Sequence, residues 1–127
     1  MNVYYFTRTG TCERIAHGLA EKYHCQARQI IGSIDYSGKT GFIRGTKAAA
    51  FKQEDPCIYK RPDENVKNIL LVTPVWASTL PPAVRTFVKE VGSENIILVP
   101  VSKGSKIKDR EGYKKIIDIV DKDYKKK

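Results

Sequence analysis

Apolar residues fall into short, separated runs along the chain. Val3 to Phe6 is β-branched and aromatic throughout, unalternating and too short for a helix, which predicts a strand buried on both faces. A turn, Thr7-Arg8-Thr9-Gly10-Thr11, follows. Ile15, Ala16, Leu19, Ala20 and Tyr23 then recur at the spacing of one helix face, with His24 marking the end. Gln26 to Ile31 alternates at first and predicts a second strand suited to an edge. From Gly32 to Lys67 glycines and prolines punctuate the pattern, and one short helix is predicted around Ile43 to Lys52. Asn68 to Thr73 predicts a buried strand ending at Pro74, because proline breaks a ladder. Pro81-Pro82 opens a helix with Val84, Phe87, Val88 and Val91 on one face, stopping at Gly92. Ile96 to Val101 reads as a fourth strand. Tyr113, Ile116, Ile117, Val120 and Tyr124 are spaced as a final helix.

The predicted order is therefore β-α-β-(α)-β-α-β-α, with apolar strands that need cover on both faces. That pattern calls for an α/β fold, a three-layer doubly wound parallel sheet with right-handed crossovers. Such sheets bind ligands outside the carboxyl ends of their strands. The loops that matter are thus Thr7 to Cys12, Pro74 to Leu80 and Ser102 to Lys106. A length of 127 residues fits one domain, 1–127, with one core.

Composition narrows the class. Hydrophobic residues make up 41% and charged residues 29% of the chain, as in ordinary globular proteins, and no apolar run could span a bilayer. The N-terminus lacks a secretory signal, so a cytoplasmic location is expected, without membrane insertion. Cys12, Cys25 and Cys57 form no metal or disulfide spacing and read as free thiols. The formal charge of +9 is uneven: ten basic against five acidic residues lie between Lys103 and Lys127. That excess suits an acidic protein, a nucleic acid, an anionic surface or simple solubility.

The first loop sets Thr7, Thr9 and Thr11 around Gly10 before a helix, where backbone N–H groups, hydroxyls and the helix dipole could receive a phosphate, with Arg8 nearby. Threonines acting only as helix caps are the alternative. It is neither a Walker loop nor G-x-G-x-x-G. Trp76, the single tryptophan, follows the third strand and could stack on a planar ring, or could pack or meet a partner. Cys12 could be an inert substitution or a thiol activated by the helix N-terminus beside Arg8. His17 and His24 read as surface or capping residues. No catalytic residue set is visible.

Thr7-Arg8-Thr9-Gly10-Thr11-Cys12 resembles the Thr/Ser-x-Thr-Gly-x-Thr phosphate loop of the flavodoxin family. Thr73-Pro74-Val75-Trp76-Ala77-Ser78, with Leu80-Pro81-Pro82 and Phe87, is similar to that family's second FMN loop. The resemblance implies a flavodoxin-like sheet, here with four strands in the order 2-1-3-4 and the fifth missing. It implies FMN as cofactor, its phosphate at Thr7, Arg8, Thr9, Gly10, Thr11 and Cys12. Pro74, Val75, Trp76 and Ala77 would line the isoalloxazine, and Ser102, Lys103, Gly104 and Ser105 would form the third loop. The chain departs from the family at Cys12, in a third loop without acidic residue or tyrosine, and in its basic charge.

The function that follows is an FMN-binding electron-transfer protein, a redox carrier more than an enzyme with its own substrate. Its partners would be redox proteins, acidic ones such as a ferredoxin-like protein or a reductase, with the protein itself a monomer or homodimer. No nucleic-acid partner is expected, since no aromatic residues interleave the basic stretch. Two alternatives are an NAD(P)H-dependent flavin or quinone reductase, and a flavodoxin-fold module that has lost FMN and acts through its basic surface.

Overall fold

The structure, a computed structural model, describes residues 1–62, 68–104 and 106–120. Strand β1 (Asn2–Tyr5) lies at the centre, with β2 (Ala27–Gln29) on one side and β5 (Ile69–Pro74) on the other, both parallel to it. Strand β6 (Ile96–Ser102) extends the sheet beyond β5, again parallel. Helix α1 (Thr11–Lys22) joins β1 to β2, and α3 (Pro82–Val91) joins β5 to β6. Between β2 and β5 run a two-residue antiparallel ladder, β3 (Ile31–Gly32) with β4 (Cys57–Ile58), and helix α2 (Gly38–Ala50). The predicted helix at Ile43 to Lys52 is thus real but starts at Gly38 and ends at Ala50.

The unalternating apolar strands are explained by cover on both faces. Val3 and Tyr5 of β1, with Leu70, Val72, Val99 and Val101, pack on Cys12, Ala16 and Ala20 of α1. The alternate residues Tyr4 and Phe6, with Leu71 and Leu98, face the other layer, where Val84 and Phe87 of α3 and Ala49 of α2 meet them. Burying a Val, Leu, Ile or Phe side chain contributes roughly 1.5–3 kcal/mol, so these two layers are the main source of stability.

The C-terminal segment differs from expectation. The predicted four-strand sheet has its fifth position filled, and residues 113–120 of the predicted last helix are extended. Strands β7 (Lys115–Ile116) and β8 (Ile119–Val120) both pair parallel with β6, in the order β2-β1-β5-β6-β7. Tyr124 lies outside the described residues. The partners Ile97↔Lys115 and Val101↔Ile119 have one constant offset, so β7 and β8 are a single strand interrupted at residues 117–118. Pro100 accounts for the break. Ile96 and Leu98 turn their carbonyls to this strand, accepting from Lys114 and Ile117 N–H groups at 2.9 and 2.8 Å. Pro100 shares their parity and has no N–H to offer. A helix would have left this edge of β6 unpaired, and Ile116, Ile117, Ile119 and Val120 are β-branched residues suited to a strand.

Candidate functional site

The parallel register brings the ends of β1, β5 and β6 together, so the three predicted loops share one end of the sheet. In the first loop Gly10 adopts φ +99°, a conformation that favours glycine, and its N–H donates to Thr7 Oγ1 at 2.8 Å. Helix α1 then begins at Thr11 without a side-chain cap. Thr11 is buried, and its hydroxyl has no hydrogen-bond partner. A first turn with uncapped N–H groups and a partnerless hydroxyl is an anion receptor in waiting. Thr9 is exposed beside it.

Arg8 does not turn toward that receptor. Its guanidinium lies 4.6 Å from the Phe42 ring centre and reaches the Gly38 carbonyl at 3.5 Å, tying the loop to the start of α2. Cys12 packs its thiol into the layer between α1 and the sheet, and burial pushes that thiol well above its ordinary range. Burial thus works against an activated thiolate at this position. What Cys12 leaves at the loop is its backbone N–H.

The second loop places Trp76 in the core rather than in the open. Its side chain is only 2% exposed, held by edge-on contacts with Phe6, Tyr36 and Phe42 at centroid distances of 5.7, 5.5 and 6.5 Å. The reason is α2, whose buried stripe is Gly41, Gly45 and Ala49 and whose Gly45 lies against the indole. A Cβ at Gly45 would stand 2.8 Å from the indole Cζ3, so only glycine admits this approach. The indole Nε1 is buried without a partner. Pro74 is buried and Val75 half-buried, while Ala77 is exposed.

The third loop brings Ser102 to the same end, its Oγ accepting the Gly104 N–H at 3.2 Å. Lys103 and Gly104 are exposed, and Ser105 lies outside the described residues. The Lys108 N–H donates to the Ser78 carbonyl at 2.9 Å, fastening the third loop to the second.

A cavity of about 320 Å³ opens between the first loop and residues 29–37, with Thr7, Arg8, Ile30, Tyr36 and Trp76 among its walls. Sequence reasoning missed the 29–37 wall, since its glycine and serine punctuation carried no motif. It also missed the fixture behind Tyr36. The Tyr36 hydroxyl donates to buried Asp55 at 2.6 Å, and Gln53 donates to the second carboxylate oxygen at 2.6 Å. Burial first, then this hydrogen bond, pushes the Tyr36 phenol up to about 12. The one available signal was the four-residue spacing of Gly41, Gly45 and Ala49, which marks a close-packed helix.

No protein-family model and no curated protein matches the sequence. Solved structures do share its fold. A flavoprotein from Lactobacillus acidophilus NCFM in complex with FMN superposes with a TM-score of 0.67 at 12% identity, over 98% of this chain and 95% of that one. A candidate flavoprotein from Bacteroides uniformis ATCC 8492 gives 0.72 at 20% identity, over 99% and 97%. Another from Bacteroides eggerthii DSM 20697 gives 0.54 at 19%, over 79% and 68%. With the strand order above, the fold is a doubly wound α/β sheet of the flavodoxin-like kind. No helix among the described residues is long and apolar enough to cross a membrane.

Proposed function

We propose that this protein binds FMN at the β1, β5 and β6 loops and acts as an electron-transfer protein of the cytosol. The observation that carries the reading is the pairing of two features at one sheet end. The N-terminus of α1 is uncapped and holds the partnerless Thr11 hydroxyl, and a cavity walled by Trp76 opens beside the same loop. The residues present fit the cofactor: the first turn of α1 with Thr7, Thr9 and Thr11 would hold the phosphate, and Trp76 would border the ring. The cavity falls within the usual range for such ligands, roughly 300–1,000 Å³. The Lactobacillus structure, of the same fold, contains FMN.

Bound FMN supplies the electron-accepting ring system. The chain's contribution is placement and environment. The α1 terminus and hydroxyls fix the phosphate, and Trp76 with Phe6 and Tyr36 presents an apolar, water-poor wall. Such a wall disfavours negative charge on a neighbouring ring.

Partner choice follows from charge. No acidic residue occurs between Tyr36 and Gln53, while Lys39, Arg44 and Lys47 stand exposed around Phe42 and Ile43. This face suits an acidic redox protein, steered by long-range attraction. The test is stopped-flow electron exchange between the FMN-loaded protein and an acidic ferredoxin across a salt series. The rate falls with ionic strength on this reading; a salt-independent rate removes the acidic partner, and no exchange with any redox protein removes the carrier function.

A further inference from the structure

Residues 76–79 form a two-residue reversal whose central residues, Ala77 and Ser78, have φ +52° and +61°. Both lie in the left-handed region, where turns of this type ordinarily use glycine or asparagine. Two adjacent side-chain-bearing residues in that region persist only where their surroundings over-determine them. The holding bonds can be named. Trp76 N–H donates to Thr79 O at 2.9 Å, Thr79 N–H to Trp76 O at 3.0 Å, and Lys108 N–H to Ser78 O at 2.9 Å. The fourth bond comes from a side chain: Arg85 Nη2 donates to Thr79 Oγ1 at 2.6 Å.

Arg85 sits in the first half of α3, outside every motif. It is half-buried, its Nε is shielded without a partner, and among the described residues no carboxylate pairs with it. A shielded, uncompensated cation is costly. Among the described residues its side-chain hydrogen bond goes to the turn. We infer that Arg85 is a positioning residue, a clamp that holds the strained Trp76–Thr79 turn in the shape that borders the cofactor. This rests on the flavin reading for its purpose, but not for its geometry.

The experiment separates the two. In the apo-protein, amide hydrogen exchange at Trp76 and Thr79 is compared in the parent, Arg85→Met and Thr79→Val. Arg85→Met keeps the aliphatic stem and removes the donor. The clamp predicts faster exchange at both amides in either variant, with distant amides of β5 and β6 unchanged. FMN affinity is then measured in the parent and in Ala77→Gly/Ser78→Gly, each with and without Arg85→Met. Losing a hydrogen bond to a charged donor weakens FMN binding about tenfold in the parent. In the glycine background, where the strain is gone, Arg85→Met costs less than about threefold. Equal losses in both backgrounds, or unchanged amide exchange, overturn the clamp. A parent that binds no FMN overturns the flavin reading, while amide exchange still decides the clamp.

Discussion

The two ends of the candidate site are prepared in opposite ways. At the α1 end the receptor is open: the helix is uncapped, Gly10 is already left-handed, and Thr9 faces solvent. At the Trp76 end the indole itself is closed in: three aromatic rings meet it and Gly45 of α2 approaches it without space for a methyl group. The difference assigns the labour of binding. Thr9 and Gly10 lie open to an incoming phosphate with Thr11 buried beneath them, whereas the wall beside the ring is part of the hydrophobic core. Changes at the first end should alter affinity and spare folding; changes at the second should alter folding first.

The largest effect is expected at Trp76. Trp76→Ala removes a fully buried side chain from the core and should destabilise the apo-protein by about 3–5 kcal/mol in urea unfolding, besides raising the FMN dissociation constant. A loss under about 1 kcal/mol would show that the closed end is not core. Gly45→Ala drives a Cβ into the indole and toward Tyr36 Cγ, at 2.8 and 3.1 Å. It should cost about 1–3 kcal/mol and change Trp76 emission as α2 is displaced.

Thr11→Val sharpens the contrast from the other side. The buried hydroxyl has no partner to lose, so apo-stability should stay within about 1 kcal/mol of the parent. FMN affinity should nevertheless fall about tenfold, as expected for one lost hydrogen bond to a charged phosphate. A variant that is clearly destabilised yet binds FMN as tightly as the parent would place the hydroxyl's role in folding.

The smallest effect is a pH dependence at the closed end. The folded protein raises the Tyr36 phenol from 10.0 to about 12, so the native state keeps a proton that the unfolded chain releases. That contribution is complete below pH 10 and is lost as pH rises through 12. Urea midpoints should therefore fall less steeply between pH 10 and 12 in Tyr36→Phe than in the parent.

Legibility in the sequence follows the same division. Strands buried on both faces announce themselves by unbroken apolar runs, and the loops that follow them were correctly placed at one sheet end. The final segment misled because Tyr113, Ile116, Ile117 and Val120 satisfy helical spacing while their β-branched character favours a strand. The unpaired edge of β6 decided between them, and that edge is a tertiary fact. Trp76 was left open between stacking, packing and partner contact, and the helix that buries it is again a tertiary fact. Gly41, Gly45 and Ala49 carried that information, spaced by four, in the stretch where glycine suggested only irregularity. Arg85 carried no signal, because its partner Thr79 lies in a turn whose shape no motif records.

The central claim is tested most directly by titrating the apo-protein with FMN while following flavin fluorescence and Trp76 emission together. The account predicts saturable one-to-one quenching of both signals at micromolar concentration or below, on the order of 8 kcal/mol of binding. Unchanged flavin fluorescence and unchanged Trp76 emission with FMN in large excess would contradict it, and would leave the basic face of α2 as the functional surface.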